Sequence, residues 1–215
     1  NENSINIYMK DWYLDAVTEK EDDWQVIIVE ENELVMAAFP FGYQKRHGLR
    51  YIYSPWQCAR GGLWIRERFY RGKEEELSVL NQYVKQIIDD LPPYDSFNIL
   101  FNSDFKNWQP FYWNGFSAQP RYSMVIQKSI EDYIICIGKK RRERIRRAKR
   151  KYCMRENQIS KENYWDFLVK SYESKKKILD YSSDKFYKLW DALKFYNACI
   201  VRSVLDEDQN LVAVN

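Results

Sequence analysis

One histidine, His47, and four cysteines are all that the 215 residues hold of the imidazole and thiol metal ligands, and no two cysteines form a CxxC pair. A zinc site draws several such ligands together at short spacings, so the sequence argues against one. Four scattered cysteines also make no disulfide framework. They read as reduced thiols. Glycine (7) and proline (6) are scarce, which argues against low-complexity linkers. No apolar run approaches the roughly 20 residues that span a bilayer. No leader pattern stands at Asn1. These absences together predict a cytoplasmic protein.

What is present is apolar and aromatic. Apolar residues make up 45% of the chain and aromatics 17%, enough for a real core in one large domain or two small ones. The net charge is only +3, but the charge is local. Residues 139–151 hold ten lysines or arginines and one glutamate, leaving 24 basic and 30 acidic residues elsewhere. Local charge of this kind says more about a partner than the total does.

Periodicity divides the chain into two blocks, strand-rich to about residue 128 and helix-rich after it. A short amphipathic helix opens KDWYLDAVTEKEDDWQ (10–25). A hairpin follows, with strands at 26–30 and 34–39, a turn at Glu31–Asn32, and Pro40 as the stop. A strand at 50–53 ends at Ser54–Pro55, before a glycine-bearing loop at 57–65. Leu77, Leu80, Tyr83, Val84, Ile87 and Ile88 form one face of a helix over 74–91, stopped by Pro92–Pro93. Further strands are predicted at 97–101 and 121–127, around a short aromatic helix closed by Gly115. One long helix is predicted from Glu131 to about Tyr152, with Ile134, Ile137, Ile145, Ala148 and Tyr152 as its packed stripe. Helices at 161–177 and 183–196 follow, and a hairpin of strands 198–205 and 211–214 ends the chain. Its unpaired edge is a place where a second chain could add.

Several of these pieces resemble Fem-like proteins of the GNAT acyltransferase superfamily. They are WYLDAV (12–17), AAFPF (37–41), SPW (54–56), NWQPFYWNGF (107–116), RYSMVI (121–126), and the Lys-x-Arg-x-x-Ile-Arg-x-Ala pattern within 138–151. The resemblance covers nearly the whole chain and rests on the order of the pieces. It implies an α+β fold. A GNAT-like twisted mixed sheet flanked by helices would occupy residues 1–128, and a helix-rich, incomplete second GNAT-like domain residues 129–215. It further implies transfer of an acyl or aminoacyl group from acyl-CoA (acetyl-CoA) or aminoacyl-tRNA to an amine or hydroxyl. The acceptor would be a lipid-linked or peptide precursor of the cell envelope, or a small molecule. No permanently bound cofactor and no metal are implied.

One departure bears on activity. The pyrophosphate loop of a GNAT domain, Q/R-x-x-G-x-G/A before a helix, would follow residue 214 in the second block, where this sequence ends. In the first block the nearest match is Gln57 to Gly62, with Arg60 where the pattern has glycine. The second domain is therefore expected to be cut short.

The basic run offers two readings. A charge run is commonly a solvated helix face. Here Lys140–Arg144, Arg142–Arg146 and Arg146–Arg150 are like-charge pairs four apart, each costing a few tenths of a kcal/mol, and Glu143 is the lone local counter-charge. A polyanion would relieve that repulsion. No aromatic interrupts the run, so contact to phosphates is expected without base stacking. tRNA, CoA phosphates, a lipid pyrophosphate and an anionic membrane surface all fit. Lys140, Arg144, Arg147 and Lys151 are the candidates for donor phosphates.

Trp56, Gln57, Arg60, Tyr112, Arg121 and Tyr122 are the candidates for an acceptor cleft, since rings stack on sugars and peptides while polar tips orient them. Against this, NWQPFYWNGF reads as a core-packing helix, Gly61–Gly62 as a plain turn, and Arg121–Tyr122 as a strand-edge pair. No catalytic base is identified. His47 has no partner pattern, and Cys153 reads as a bystander. Two alternatives to the transferase stay open: a non-catalytic module that holds RNA or an anionic surface, and an inactive remnant.

Overall fold

The computed structural model describes residues 5–20, 23–68 and 70–215. The architecture is α+β, with a mixed sheet and helices. The chain divides into two compact units, residues 1–119 and 120–215.

In the first unit, α1 (Asp11–Val17) precedes β1 (Trp24–Glu31), β2 (Leu34–Arg46), β3 (Leu49–Tyr53) and a two-residue β4 (Trp64–Ile65). Then come α2 (Lys73–Asp89), β5 (Ser96–Asn98) and α3 (Gln109–Trp113). The strand order is β1-β2-β3-β5, with β4 on β2. All pairings are antiparallel except β3 with β5. Both hairpins turn on two residues with positive φ, Asn32–Glu33 and His47–Gly48. Such turns match the right-handed twist of the strands they join. His47 is thus a turn residue exposed to solvent. The helix reading over 10–25 holds for Asp11–Val17; residues 21 and 22 lie outside the described residues.

Pro40 does not end β2. The strand continues through it for six more residues to Arg46. On one edge Pro40 faces Val26 of β1. On the other edge, β4 takes Ala37 and Ala38, and β3 begins at Gly42. Pro40 falls between those partners, so its missing N–H costs no ladder bond to either.

Alternation along β2 places Ala37, Phe39 and Phe41 on one face, all at 0% exposure, against Tyr83 and Ile87 of α2. Val29 of β1 and Ile52 of β3 complete this core. A bulge between Val29 and Glu30 turns Met36 inward as well. One polar lock sits at its margin. The Tyr83 hydroxyl donates to Glu31 Oε1 at 2.8 Å, and Arg68 Nη1 donates to Glu31 Oε2 at 3.1 Å and to the Tyr83 oxygen at 3.2 Å. Burial, then the Glu31 carboxylate, pushes the phenol up to about 12.

The second unit contains α4 (Ile130–Cys136), α5 (Lys139–Lys151), β6 (Cys153–Glu156), α6 (Lys161–Glu173), α7 (Ser183–Phe195), β7 (Arg202–Leu205) and β8 (Leu211–Val214). The three strands form one antiparallel sheet, β6-β7-β8. Aromatic rings join α6 to α7, with Tyr164 and Trp165 each 5.5 Å from Phe186. Ser160 and Ser182 cap these helices.

Three expectations are corrected here. The single helix over 131–152 is two helices, because Ile137 and Gly138 are extended. Glycine is a poor interior helix residue, and Ile137 is buried at 8% exposure as a hinge rather than as a stripe position. The expected strand over 121–127 is irregular and exposed, since alternation makes a strand only where a neighbouring edge completes its ladder. The expected strand from 198 starts at Arg202. Ahead of it, the Asn157 side chain accepts from the Val201 amide at 3.1 Å and from Lys194 at 2.6 Å, fixing the approach. Strand β6 went unread because Tyr152–Glu156 alternates weakly and all four of its residues are exposed.

Two outcomes are predicted. Tyr83→Phe should destabilise the first unit by about 1 kcal/mol, since it strands one lobe of Glu31; urea unfolding measures this. At the β7–β8 turn the Asn210 amide, helped by the Asn210 side chain and the Asp208 amide, holds the Asp206 carboxyl below its ordinary value. A depressed carboxylate contributes stability above its unfolded value of about 3.9, and that contribution disappears as pH falls through the folded value. Amide exchange at Asn210 should therefore be flat with pH above about 4, after correction for its intrinsic rate, and lose protection below it.

Candidate phosphate-binding helix and acceptor surface

Helix α5 is basic on every side. No residue in it is buried, and Ala148 and Tyr152 of the expected stripe are exposed. Within α5, Arg142, Glu143 and Ile145 are half-buried. The prediction of a packed stripe is corrected for a simple reason: ten cations in thirteen positions leave no sector wide enough to enter a core. Glu143 makes no ion pair among the described residues, so the like-charge repulsion goes unrelieved within the helix. Lys139, Lys140 and Arg141 stand at the N-terminal end, where the helix dipole disfavours cations. Lys149, Arg150 and Lys151 stand in the last turn, where it favours them.

Lys140, Arg144, Arg147 and Lys151 are four, three and four residues apart. They form one ridge along α5, about 16 Å long at 1.5 Å per residue. All four are exposed. Lys151 Nζ also lies 5.6 Å from the Tyr152 ring and its charge acts on Asp206. Arg142 is tied back, donating to the Ile135 carbonyl at 2.8 Å.

The acceptor candidates are split between the units. Trp56, Gln57 and Arg60 share the loop between β3 and β4. Trp56 is half-buried, while Gln57 and Arg60 are exposed. Gln57 is held at φ 60, a conformation few residues other than glycine adopt. Its carbonyl accepts the Tyr13 hydroxyl at 3.1 Å. Beside it the Cys58 thiol is buried and pushed up to about 12, which makes it inert. The adjacent glycine serves packing: Gly62 has φ 96, and a Cβ there would lie 2.6 Å from the Phe101 ring. Phe101 in turn meets Phe111 of α3 at 5.3 Å. Loop and α3 thus share one aromatic anchor. On α3 the buried ring is Phe111, whereas Tyr112 is 61% exposed and packs edge-on against Trp108. Arg121 and Tyr122 fall in the second unit, on the irregular segment, with Tyr122 at 94% exposure.

Neither of two cavities in the molecule is lined by any of these residues. One is an apolar slot of about 120 Å³ between Met9, Trp24, Pro40 and Trp64 in the first unit. The other, about 500 Å³, lies between α6 and the sheet of the second unit. Sequence reasoning passed over this second cavity. The sequence carries no signal for it, because Asn163, Asp166 and Lys170 read as an ordinary solvated helix face until a sheet is found opposite them.

Among the described residues no helix is long and apolar enough to cross a membrane. No protein-family model matches the chain, and no curated protein matches it. Among solved structures, the crystal structure of FemX is similar, with a TM-score of 0.53 and 17% identity. The likeness covers 89% of this chain and 51% of FemX, so the chain spans about half of that protein's length. At this identity the likeness is one of fold.

Gly62→Ala should cost about 1–3 kcal/mol, through both the clash with Phe101 and the left-handed backbone. Gly61→Ala, with open space at its Cβ, should cost clearly less. Thermal unfolding of the two variants checks the assignment of Gly62 to packing.

Proposed function

We propose that this chain is part of a Fem-like acyl- or aminoacyl-transferase of the GNAT superfamily. The observation that carries the proposal is the likeness of fold to FemX over most of the chain. In the reaction, an acceptor amine attacks the carbonyl of an ester or thioester. The new C–N bond forms as the C–O or C–S bond breaks, and the amine's proton ends on the departing tRNA hydroxyl or CoA thiol. Such chemistry rests on positioning two substrates and on donors at the developing oxyanion.

On this reading the ridge Lys140, Arg144, Arg147 and Lys151 grips the phosphates of the donor. Charge on every side of α5, with no ring in it, suits a phosphate backbone and not base readout. Trp56, Gln57, Arg60, Tyr112, Arg121 and Tyr122 serve the acceptor. The exposure of Tyr112, Arg121 and Tyr122 and the strained backbone at Gln57 support their availability to a ligand. The acceptor would be a lipid-linked or peptide precursor or a small molecule, and acyl-CoA would enter as a cosubstrate.

A second reading, a module that holds RNA or an anionic surface without catalysis, draws on the same all-round charge of α5. Binding of tRNA and of acetyl-CoA, measured against salt concentration, tests both. tRNA affinity should fall with salt at a log–log slope of about −0.7 to −0.9 per phosphate contact. Substituting Lys140, Arg144 and Arg147 together by alanine should flatten that slope by about 2 to 3. Aminoacyl transfer to an amine acceptor then separates the transferase from the module. Absence of binding to both ligands at low salt, with the triple variant unchanged, would remove this helix from either reading.

A further inference from the structure

The cavity of about 500 Å³ in the second unit has a makeup that packing alone does not explain. A helix lying over a sheet normally turns an apolar face inward. Here α6 presents Asn163, Asp166, Phe167 and Lys170 to the cavity, positions i, i+3, i+4 and i+7 of one face; only Phe167 is apolar and half-buried, and the three polar residues stand exposed at the cavity's rim. Asp166 and Lys170 are four apart in the order that favours an ion pair on a helix. They form none with each other, and the Lys170 ammonium has no hydrogen-bond or ion-pair partner among the described residues. Two opposite charges stand one turn apart at the cavity's rim without pairing.

The opposite wall supplies a matching anomaly. Ser203 of β7 is 4% exposed, yet its hydroxyl has no hydrogen-bond partner among the described residues. No buried side-chain oxygen or nitrogen is sealed off without a hydrogen bond among the described residues. The Ser203 oxygen is therefore reached from the cavity that it lines. Its cross-strand neighbour is Arg155 of β6, also in the lining. Arg155 spends one N–H on Gln209 Oε1 at 2.6 Å. A guanidinium has five, so donors remain for a carboxylate.

The lining thus combines two cations, Arg155 and Lys170, with one anion, Asp166, above a floor that includes Phe167, Leu205 and Leu211. We propose that this cavity binds a free amino dicarboxylate, meaning a small molecule with one ammonium and two carboxylates on a short apolar stem. One carboxylate meets Arg155 and the Ser203 hydroxyl, the other meets Lys170, and the ammonium meets Asp166. The stem lies on the apolar floor. The volume lies within the range of small-molecule sites. The site lies wholly in the second unit and does not depend on the transferase reading or on α5.

The test is titration of the 215-residue chain with L-glutamate, followed by amide chemical shifts, beside two partial analogues. Glutarate lacks the ammonium and 2-aminobutyrate lacks the second carboxylate. Glutamate should bind in the millimolar range or tighter, with shifts confined to β6, α6, β7 and the β7–β8 turn, and at least about tenfold better than either analogue, one charged contact's worth. Asp166→Asn should abolish the preference over glutarate, and Lys170→Gln the preference over 2-aminobutyrate. Ser203→Ala should weaken all three ligands that carry a carboxylate. These surface substitutions on α6 should leave the remaining amide spectrum in place, which distinguishes lost binding from lost folding. Glutarate binding as well as glutamate would overturn the proposal in favour of a general anion pocket. So would glutamate shifts centred on α5, or none at all in the millimolar range.

Discussion

Strand β2 is the constraint on which the first unit rests. Its thirteen residues are long enough to serve β1 along one edge and β4 and β3 in succession along the other. Ala37, Phe39 and Phe41 are wholly removed from water on its inner face. A strand of this length twists, and the twist lets one edge hand over from β4 to β3 at Pro40, where no pairing is needed. The Gly62–Phe101–Phe111 contacts then hang the β3–β4 loop and α3 on that same core. Gln57 and Tyr112 are held at the surface by burial of their neighbours, not by contacts of their own side chains to one another.

The parts of this arrangement legible in the sequence are those set by local rules. The face of α2 followed from its apolar spacing, the hairpins from their alternation, and the end of α3 from Gly115. What was misread depends on partners distant in sequence. Pro40 reads as a stop until one sees that two short strands leave it a gap. Residues 121–127 read as a strand because Tyr122, Met124 and Ile126 alternate, but alternation says which side chains share a face, not whether an edge is free to receive them. Pattern also failed at Ile137–Gly138, where ten charges downstream invited one continuous helix and a glycine with an extended backbone made two.

The candidate site was legible in a different sense. The ridge on α5 follows from spacing alone, since residues 140, 144, 147 and 151 share a face of any helix. The apolar stripe assigned to its back did not survive, and the reason is arithmetic. Ten cations spread around thirteen positions leave only the pair Ile145 and Ala148 as apolar surface, too little to hold the helix against a core. The groove beside α6 went unread for the converse reason. Polar residues on an exposed-looking helix raise no question until a sheet is found opposite them.

These two features of the second unit obey one principle with opposite consequences. In α5 like charges are crowded where the chain could have interspersed acids, and repulsion disfavours the helix unless an anion answers it. On α6 opposite charges stand four apart, where they would ordinarily satisfy each other, and do not. Each departs from what local electrostatics favours, and each does so on a surface that solvent or a ligand can reach. On the proposed reading, charge left uncompensated on α5 would be met by a partner of one sign and extended form, as a phosphate chain has. Charge left unpaired on α6, beside the open hydroxyl of Ser203, calls for a small partner carrying both signs. The two proposed surfaces therefore differ in the chemistry each would recognise, an extended anion on α5 and a small molecule of both signs beside α6.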